Sequence, residues 1–224
     1  DASLIIVTSQ KEKEAVLALG ITAKISVLTL GINAPSLEDI PQRPKGTNRR
    51  CLYLSRITPV KGLDLLVEAV DRLRPDYWVF DIVGPEEKGF GKRIRAMIER
   101  KDLNAWFRFA PAVNSEAKWE EIRAADILIL PSKSENFGII VAEALAMGTP
   151  VMTTDKTPWN ILNEENCGWQ VPANVDGLSH GLSVALSCSR ELISSMGKRG
   201  RAVYEGHFTE RAMIEELCKI YKNI

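Results

Sequence analysis

Two short segments carry the side chains best suited to chemistry. In Ser55-Arg56-Ile57-Thr58-Pro59-Val60-Lys61-Gly62, two cations stand five residues apart on a turn that leads into a run of helical period. An arginine fork and a lysine point charge beside a helix N-terminus form a receptor for a diphosphate. Two solvated surface cations are the plainer reading. In the second segment, Pro131-Ser132-Lys133-Ser134-Glu135-Asn136-Phe137-Gly138 precedes a stretch, 139–147, that is apolar except for Glu143. A helix apolar on every side is buried on every side, and Glu143 has no charged sequence neighbour within one helical turn. Burying a lone carboxylate is costly, so Glu143 must meet a cation from another element or face a polar cleft.

With the helix opening near Phe137, Glu143 falls about 10 Å, or two turns, beyond Glu135 on roughly the same face. An ionised carboxylate accepts from both hydroxyls of a cis-diol. Two such acceptors together with the cations suit a ligand that is anionic in its middle and hydroxylated at its ends, and a nucleotide sugar has that form. The amides of Asn136, Phe137 and Gly138 open the helix toward sugar or phosphate oxygens, with Gly138 permitting close backbone approach. The plainer readings are a favourable helix-terminal acid for Glu135 and a structural ion pair for Glu143.

Elements must position these residues. From residue 51 onward, short β-rich runs at 51–55, 78–83, 106–110, 127–130, 151–154 and 168–171 alternate with segments of helical period, nearly every run ending in a turn residue such as Gly84, Pro111, Pro131 or Pro172. That alternation predicts an α/β fold, a Rossmann-like doubly wound parallel sheet whose ligands bind beyond the carboxyl ends of the strands. Residues 1–34 read as a short β-α-β unit, with strands at 4–8 and 25–30 around a helix at 10–19, closed by Gly31-Ile32-Asn33. Residues 35–50, with Pro35, Pro41, Pro44 and Gly46, read as an exposed linker. The main domain is expected over 51–207 and a final helix over 208–224, with Met213, Ile214, Leu217 and Ile220 on one face.

Composition narrows the class. The 224 residues carry 29 basic and 29 acidic side chains and are 45% hydrophobic, so the chain holds a real core and lacks the basic excess of a non-specific nucleic-acid binder. Any anion site is therefore small and local. Cys51, Cys167, Cys188 and Cys218 form no C-x-x-C pair, which reads as reduced thiols in a cytoplasmic protein rather than a zinc site or disulfide framework. No apolar run approaches a membrane span and no signal segment opens the chain, although peripheral membrane contact stays open. With only His180 and His207, both read as structural or surface residues, a histidine-based metal site or triad is not expected. Gly89-x-Gly91 does not make a dinucleotide fingerprint, because Ile94 stands where the third glycine is required.

The order and spacing of Arg56, Lys61-Gly62 and the Glu-x7-Glu element from Glu135 to Glu143, within S-E-N-F-G-I-I-V-A-E-A-L-A-M-G-T-P-V, resemble the carboxy-terminal domain of retaining glycosyltransferases of the GT-B fold, family 4 type. Gly31-Ile32-Asn33 is similar to the family's hinge, and Gly168-Trp169-Gln170-Val171-Pro172 to its late glycine-containing strand. The resemblance implies that residues 1–34 end an acceptor domain and that the chain is the donor-binding part, inactive alone. It implies that Arg56 and Lys61 hold the diphosphate and neutralise the leaving group, that Glu143 binds the ribose diol and that Glu135 contacts the donor sugar. The amides of Asn136, Phe137 and Gly138 would complete the pocket, and the base would lie near Val83, Gly84, Pro85 and Ala110. The implied donor is a UDP- or GDP-linked sugar, with a saccharide or lipid-linked saccharide as acceptor, in polysaccharide or lipopolysaccharide synthesis at the inner face of the membrane. No cofactor is implied, and the lack of an Asp-x-Asp pair agrees with a metal-free reaction.

Three other readings stand beside it. A glycoside hydrolase would need room for a scissile bond between two acids placed on one helical face. A sugar-nucleotide epimerase of similar fold needs an acid and a base that the sequence does not supply. A non-catalytic nucleotide-sugar binding module needs nothing more than the residues named. The apolar stripe of the last helix, uncovered, predicts self-association.

Overall fold

The computed structural model describes residues 3–41, 48–87 and 89–222. The first β-rich runs form a separate two-stranded parallel sheet, β1 (Leu4–Val7) and β2 (Lys24–Val27), joined by helix α1 (Gln10–Ala18). Ser9 caps α1 by accepting from the Glu12 amide, while the Glu12 carboxylate accepts from the Thr8 amide and hydroxyl at 2.7 Å. This reciprocal exchange satisfies otherwise orphaned donors at the helix start.

The larger body alternates strand and helix: β3 (Arg49–Leu54), α2 (Leu63–Leu73), β4 (Trp78–Val83), α3 (Phe90–Arg100), β5 (Phe107–Ala110), α4 (Ser115–Ala124), β6 (Ile127–Leu130), α5 (Ile139–Ala146), β7 (Val151–Thr154), α6 (Ile161–Glu164), β8 (Gly168–Val171), α7 (Val175–Ser187), α8 (Arg190–His207) and α9 (Glu210–Lys222). All six strands are parallel, in the order β5-β4-β3-β6-β7-β8. The chain winds outward from β3 to β5, then returns to the other side of β3 with β6. Strand order therefore reverses between β3 and β6, and their carboxyl ends diverge there into a crevice.

Alternation along the strands supplies two cores. Cys51, Tyr53, Ile82, Ile127 and Ile129 face one helical layer, while Leu52, Val83, Leu128 and Leu130 face the other. Both faces are covered, which is why these runs read as almost continuously apolar.

Some boundaries differ from expectation for identifiable reasons. Strand β3 begins at Arg49, inside the expected linker, because the charge of Arg50 is matched by Asp81 and Glu121 and its amide donates to Asp126 at 2.8 Å. Residues 35–41 are not a free connector either. Leu37 and Ile40 pack against the second core, and the Arg123 guanidinium donates to the Ile40 carbonyl. Pro44 and Gly46 lie outside the described residues. Strand β5 opens at Phe107, one residue later than the pattern suggested, and helix α9 at Glu210, two residues into the expected final segment. The stripe on α9 is incompletely covered: Ile214 is 54% exposed and none of the helix's residues is buried.

The chain crosses between the small and large sheets at two adjacent points. The Ile32 amide donates to the Phe208 carbonyl at 2.8 Å, and the Tyr204 hydroxyl donates to the Ile32 carbonyl at 3.1 Å. Gly31 lies so close to α9 that a Cβ there would fall 2.3 Å from the Thr209 carbonyl oxygen.

The tightest backbone approach relevant to the crevice is made by Gly62. Its φ is +68°, and a Cβ would stand 1.9 Å from the Pro131 carbonyl oxygen. The Lys133 amide donates to the Val60 carbonyl at 2.8 Å beside it. Gly62→Ala is expected to cost about 2–4 kcal/mol in urea unfolding, combining left-handed strain with overlap. Gly20→Ala, where φ is also positive but nothing lies within 4 Å, should lose only the conformational part. Equal losses would remove the close-approach explanation.

Candidate functional site at the switch point

The loops after β3 and β6 meet over the crevice. Beyond Leu54 the first loop continues the ladder with its neighbour: the Ile57 amide donates to the Pro85 carbonyl at 2.8 Å and the Glu87 amide to the Ile57 carbonyl at 3.2 Å. Gly84 permits this, since a Cβ there would fall 2.0 Å from the Ser55 carbonyl oxygen. Tyr53 sits beneath the turn and donates to the Arg56 carbonyl at 3.0 Å. Burial, and secondarily the charge of Asp64, pushes its phenol above the ordinary range, so it remains a neutral donor. Arg56 is thereby held at the mouth, exposed and without an ion-pair partner among the described residues. Residues 59–61 form a single tight turn, and Lys61 leaves it pointing across the crevice.

Lys61 pairs with Glu135, both side chains being about 15% exposed, and the Ser132 hydroxyl approaches the same carboxylate oxygen at 3.4 Å. The loop holding Glu135 is fixed from several directions. The hydroxyls of Thr153 and Thr154 donate to the carbonyls of Leu130 and Ser132, and the Trp159 indole donates to the Phe137 carbonyl. Trp159 is buried, stacked with Phe137 and Phe208 at centroid distances of 5.1 and 4.8 Å, so it packs and braces rather than lining the cleft. Lys133 turns back to Asp64 at 2.6 Å.

Helix α5 starts later than the sequence pattern suggested. Gly138, at φ +80°, breaks the helix, which begins at Ile139, so Glu135 lies in the loop and does not share a helical face with Glu143. The argument against a hydrolase from two acids on one face lapses with it. Phe137 points its ring into the core, while Asn136 is exposed. The amides of Asn136, Phe137 and Gly138 have no acceptor among the described residues, which leaves three donors at the opening of α5.

Glu143 is 8% exposed, and its cation comes from another element: the Lys118 ammonium, on α4, lies 2.5 Å from Oε1. Gly84 directly follows β4 and Ala110 ends β5, Gly84 buried and Ala110 exposed. The Gly89-Phe90-Gly91 turn has a packing reason, because Gly91 makes room for the Glu86 carboxylate. That carboxylate is held below its usual range by a hydrogen bond from Arg95.

Cys51 and Cys167 are buried, the latter pushed up to about 11 by burial, and make poor nucleophiles. His180 and His207 are exposed. Among the described residues no group of three or more His, Cys, Asp or Glu is arranged to hold a metal ion, and no helix is long and apolar enough to cross a membrane. A cavity of about 630 Å³ lies at the opposite, amino ends of β6 and β7, near Arg123, Asp126, Lys198 and Arg201. Its two arginines are committed to the fold: Arg201 donates to the Ala146 carbonyl at the end of α5, and Arg123 to the Ile40 carbonyl. The convergent charges at the carboxyl ends make the switch-point crevice the candidate site.

A parallel sheet wound in this order, with cations and carboxylates at its switch point, is the Rossmann-like carboxy-terminal domain of the GT-B architecture. The chain belongs to the family of glycosyl transferases group 1, whose model matches residues 37–203. It is 27% identical over 180 residues to D-inositol 3-phosphate glycosyltransferase of Geodermatophilus obscurus, covering 76% of this chain and 39% of that protein. It is 25% identical over 213 residues to the putative colanic acid biosynthesis glycosyltransferase WcaL of Escherichia coli, covering 88% of this chain and 50% of the relative. The chain thus spans half or less of the length of these curated relatives. Among solved structures, HepE of Anabaena, in complex with UDP and glucose, superposes with a TM-score of 0.86 at 20% identity, covering 100% of this chain and 64% of that one. Sucrose-phosphate synthase from Thermosynechococcus elongatus gives 0.85 at 22%, covering 100% and 58%.

The indole brace is separable from the ring packing. Trp159→Phe keeps an aromatic in the cluster but orphans the Phe137 carbonyl, and should lower stability by about 1–3 kcal/mol in chemical denaturation. A loss no larger than that of an exposed surface substitution would show that the loop does not depend on this bond.

Proposed function

We propose that this chain binds a nucleoside-diphosphate sugar and forms the donor half of a glycosyltransferase that transfers the sugar with retention of anomeric configuration. The observation that carries the reading is the convergence at the switch point: Arg56 exposed and unpaired among the described residues, with Lys61 reaching across the crevice to Glu135. A departing nucleoside diphosphate accumulates negative charge, and two fixed cations stabilise it without a resident metal. Arg56 and Lys61 take the diphosphate. The free amides of Asn136, Phe137 and Gly138 receive sugar or phosphate oxygens, Glu135 accepts from the sugar and Glu143 from the ribose, with the base near Gly84 and Ala110. Family membership supports the transferase class. The UDP and glucose in HepE support a UDP-linked hexose, and the description of WcaL as a putative colanic acid biosynthesis glycosyltransferase supports a polysaccharide acceptor, met through a further domain.

The ion pair alters the division of labour between the carboxylates. Because Glu135 holds Lys61, it competes with the diphosphate for that ammonium, so its role is not confined to the sugar. On donor binding Lys61 exchanges a carboxylate for phosphate oxygens, which frees Glu135 to accept from sugar hydroxyls.

Calorimetric titration with UDP, GDP, ADP and their sugars tests the reading, and folded protein that binds none of them would sink it. Arg56→Ala and Lys61→Ala should each weaken UDP binding by about 1.5–3 kcal/mol, the worth of a charge-assisted contact. Glu135→Gln should have the opposite sign for UDP alone, tightening it by up to about five-fold as the competing ion pair of roughly 1 kcal/mol is removed. A weaker UDP complex in that variant would contradict the competition. Chelation of divalent metals should leave UDP affinity unchanged.

A further inference from the structure

We infer that Lys118 is a positioning residue for Glu143 and that it sets the preference of this site for a ribose over a deoxyribose in the nucleoside. The inference rests on the donor-site reading and adds a residue outside both sequence segments that carry that reading. Glu143 lies in the second turn of α5 with Val141, Ala142, Ala144, Leu145 and Ala146 all buried around it. Water is therefore scarce at this carboxylate, and its direction is governed by protein partners. The Lys118 ammonium engages Oε1 at 2.5 Å, while Oε2 has no partner among the described residues. One oxygen is thus anchored and the other remains an acceptor.

The anchor is itself held. Asn114 caps α4 by accepting from the Ala117 amide at 2.8 Å, and the Lys118 amide donates to the Asn114 carbonyl at 3.1 Å, so the lysine leaves the first turn of a fixed helix. Its ammonium also lies 4.6 Å from the Trp119 ring centroid, which restricts the side chain further. A vicinal diol donates two hydrogen bonds in a defined direction, and a carboxylate free to rotate satisfies them less well than one already oriented. Lys118 supplies that orientation together with a compensating charge beside a buried carboxylate. A purely structural ion pair between α4 and α5 would hold the helices together but would be indifferent to the hydroxyls of the ligand.

That difference is the test. UDP and 2′,3′-dideoxy-UDP are titrated into the unaltered chain and into Lys118→Met, Lys118→Gln and Lys118→Arg, each checked for folding by its thermal transition. The unaltered chain is expected to prefer UDP by about ten-fold or more, the worth of a hydrogen bond to a charged group. Lys118→Met should bring that ratio close to one while leaving affinity for the dideoxy analogue unchanged, and Lys118→Arg should restore most of it. Where the methionine variant does not fold, Lys118→Gln decides, a reduced ratio supporting the inference. An unaltered ratio in whichever of the two variants folds overturns it and reduces Lys118 to a helix clamp. Failure of the unaltered, folded chain to bind either nucleotide would overturn the donor-site reading itself, and this inference with it.

Discussion

The contact between Gly62 and the Pro131 carbonyl is the constraint on which the rest of the site depends. Two loops separated by some seventy residues of sequence must lie in backbone contact for a lysine on one to reach a carboxylate on the other. No side chain fits between them, and the left-handed backbone at Gly62 lets the tight turn carrying Lys61 pass directly into α2. The sheet sets up this meeting by reversing its strand order between β3 and β6. The glycine then closes the remaining distance.

Electrostatics divides the work among the charged groups. Two arginines near the amino ends of β6 and β7 donate to backbone carbonyls, Arg201 at the C-terminus of α5, where positive charge and hydrogen-bond donors are needed. At the carboxyl ends the helices present amides instead, so carboxylates and cations there are not consumed in the same way. The cavity near Arg123 and Arg201 and the convergent charges of Arg56, Lys61 and Glu135 consequently fall on opposite ends of one sheet.

Much of this was legible in the sequence because it is written locally. Short apolar runs ending in glycine or proline identified the strands, and the cations and acids stood immediately after two of them. The isolation of Glu143 in an apolar helix called for a cation from elsewhere or a polar cleft, and the structure supplies the cation, Lys118. Its identity was not legible, because the contact joins two helices across twenty-five residues and Arg123 on the same helix offered a second cation. The helical register of Glu135 was misread for a physical reason: apolar periodicity continues through Phe137, but a positive φ at Gly138 delays the first helical turn. Likewise the charges of Arg49 and Arg50 disguised the start of β3, since only the folded sheet brings Asp81, Glu121 and Asp126 around Arg50.

The pairing of Lys61 with Glu135 has a consequence for selectivity. The crevice stores its own counter-charge, so an arriving anion must displace a carboxylate before it gains the lysine. A small anion that touches one cation recovers little by that exchange, whereas an anion long enough to span Arg56 and Lys61 recovers both contacts at once. On the donor-site proposal, the Lys61–Glu135 pair would act as an ion filter. The protein's own acid would then hold off abundant monovalent and orthophosphate anions and reserve the crevice for a ligand whose charge is extended.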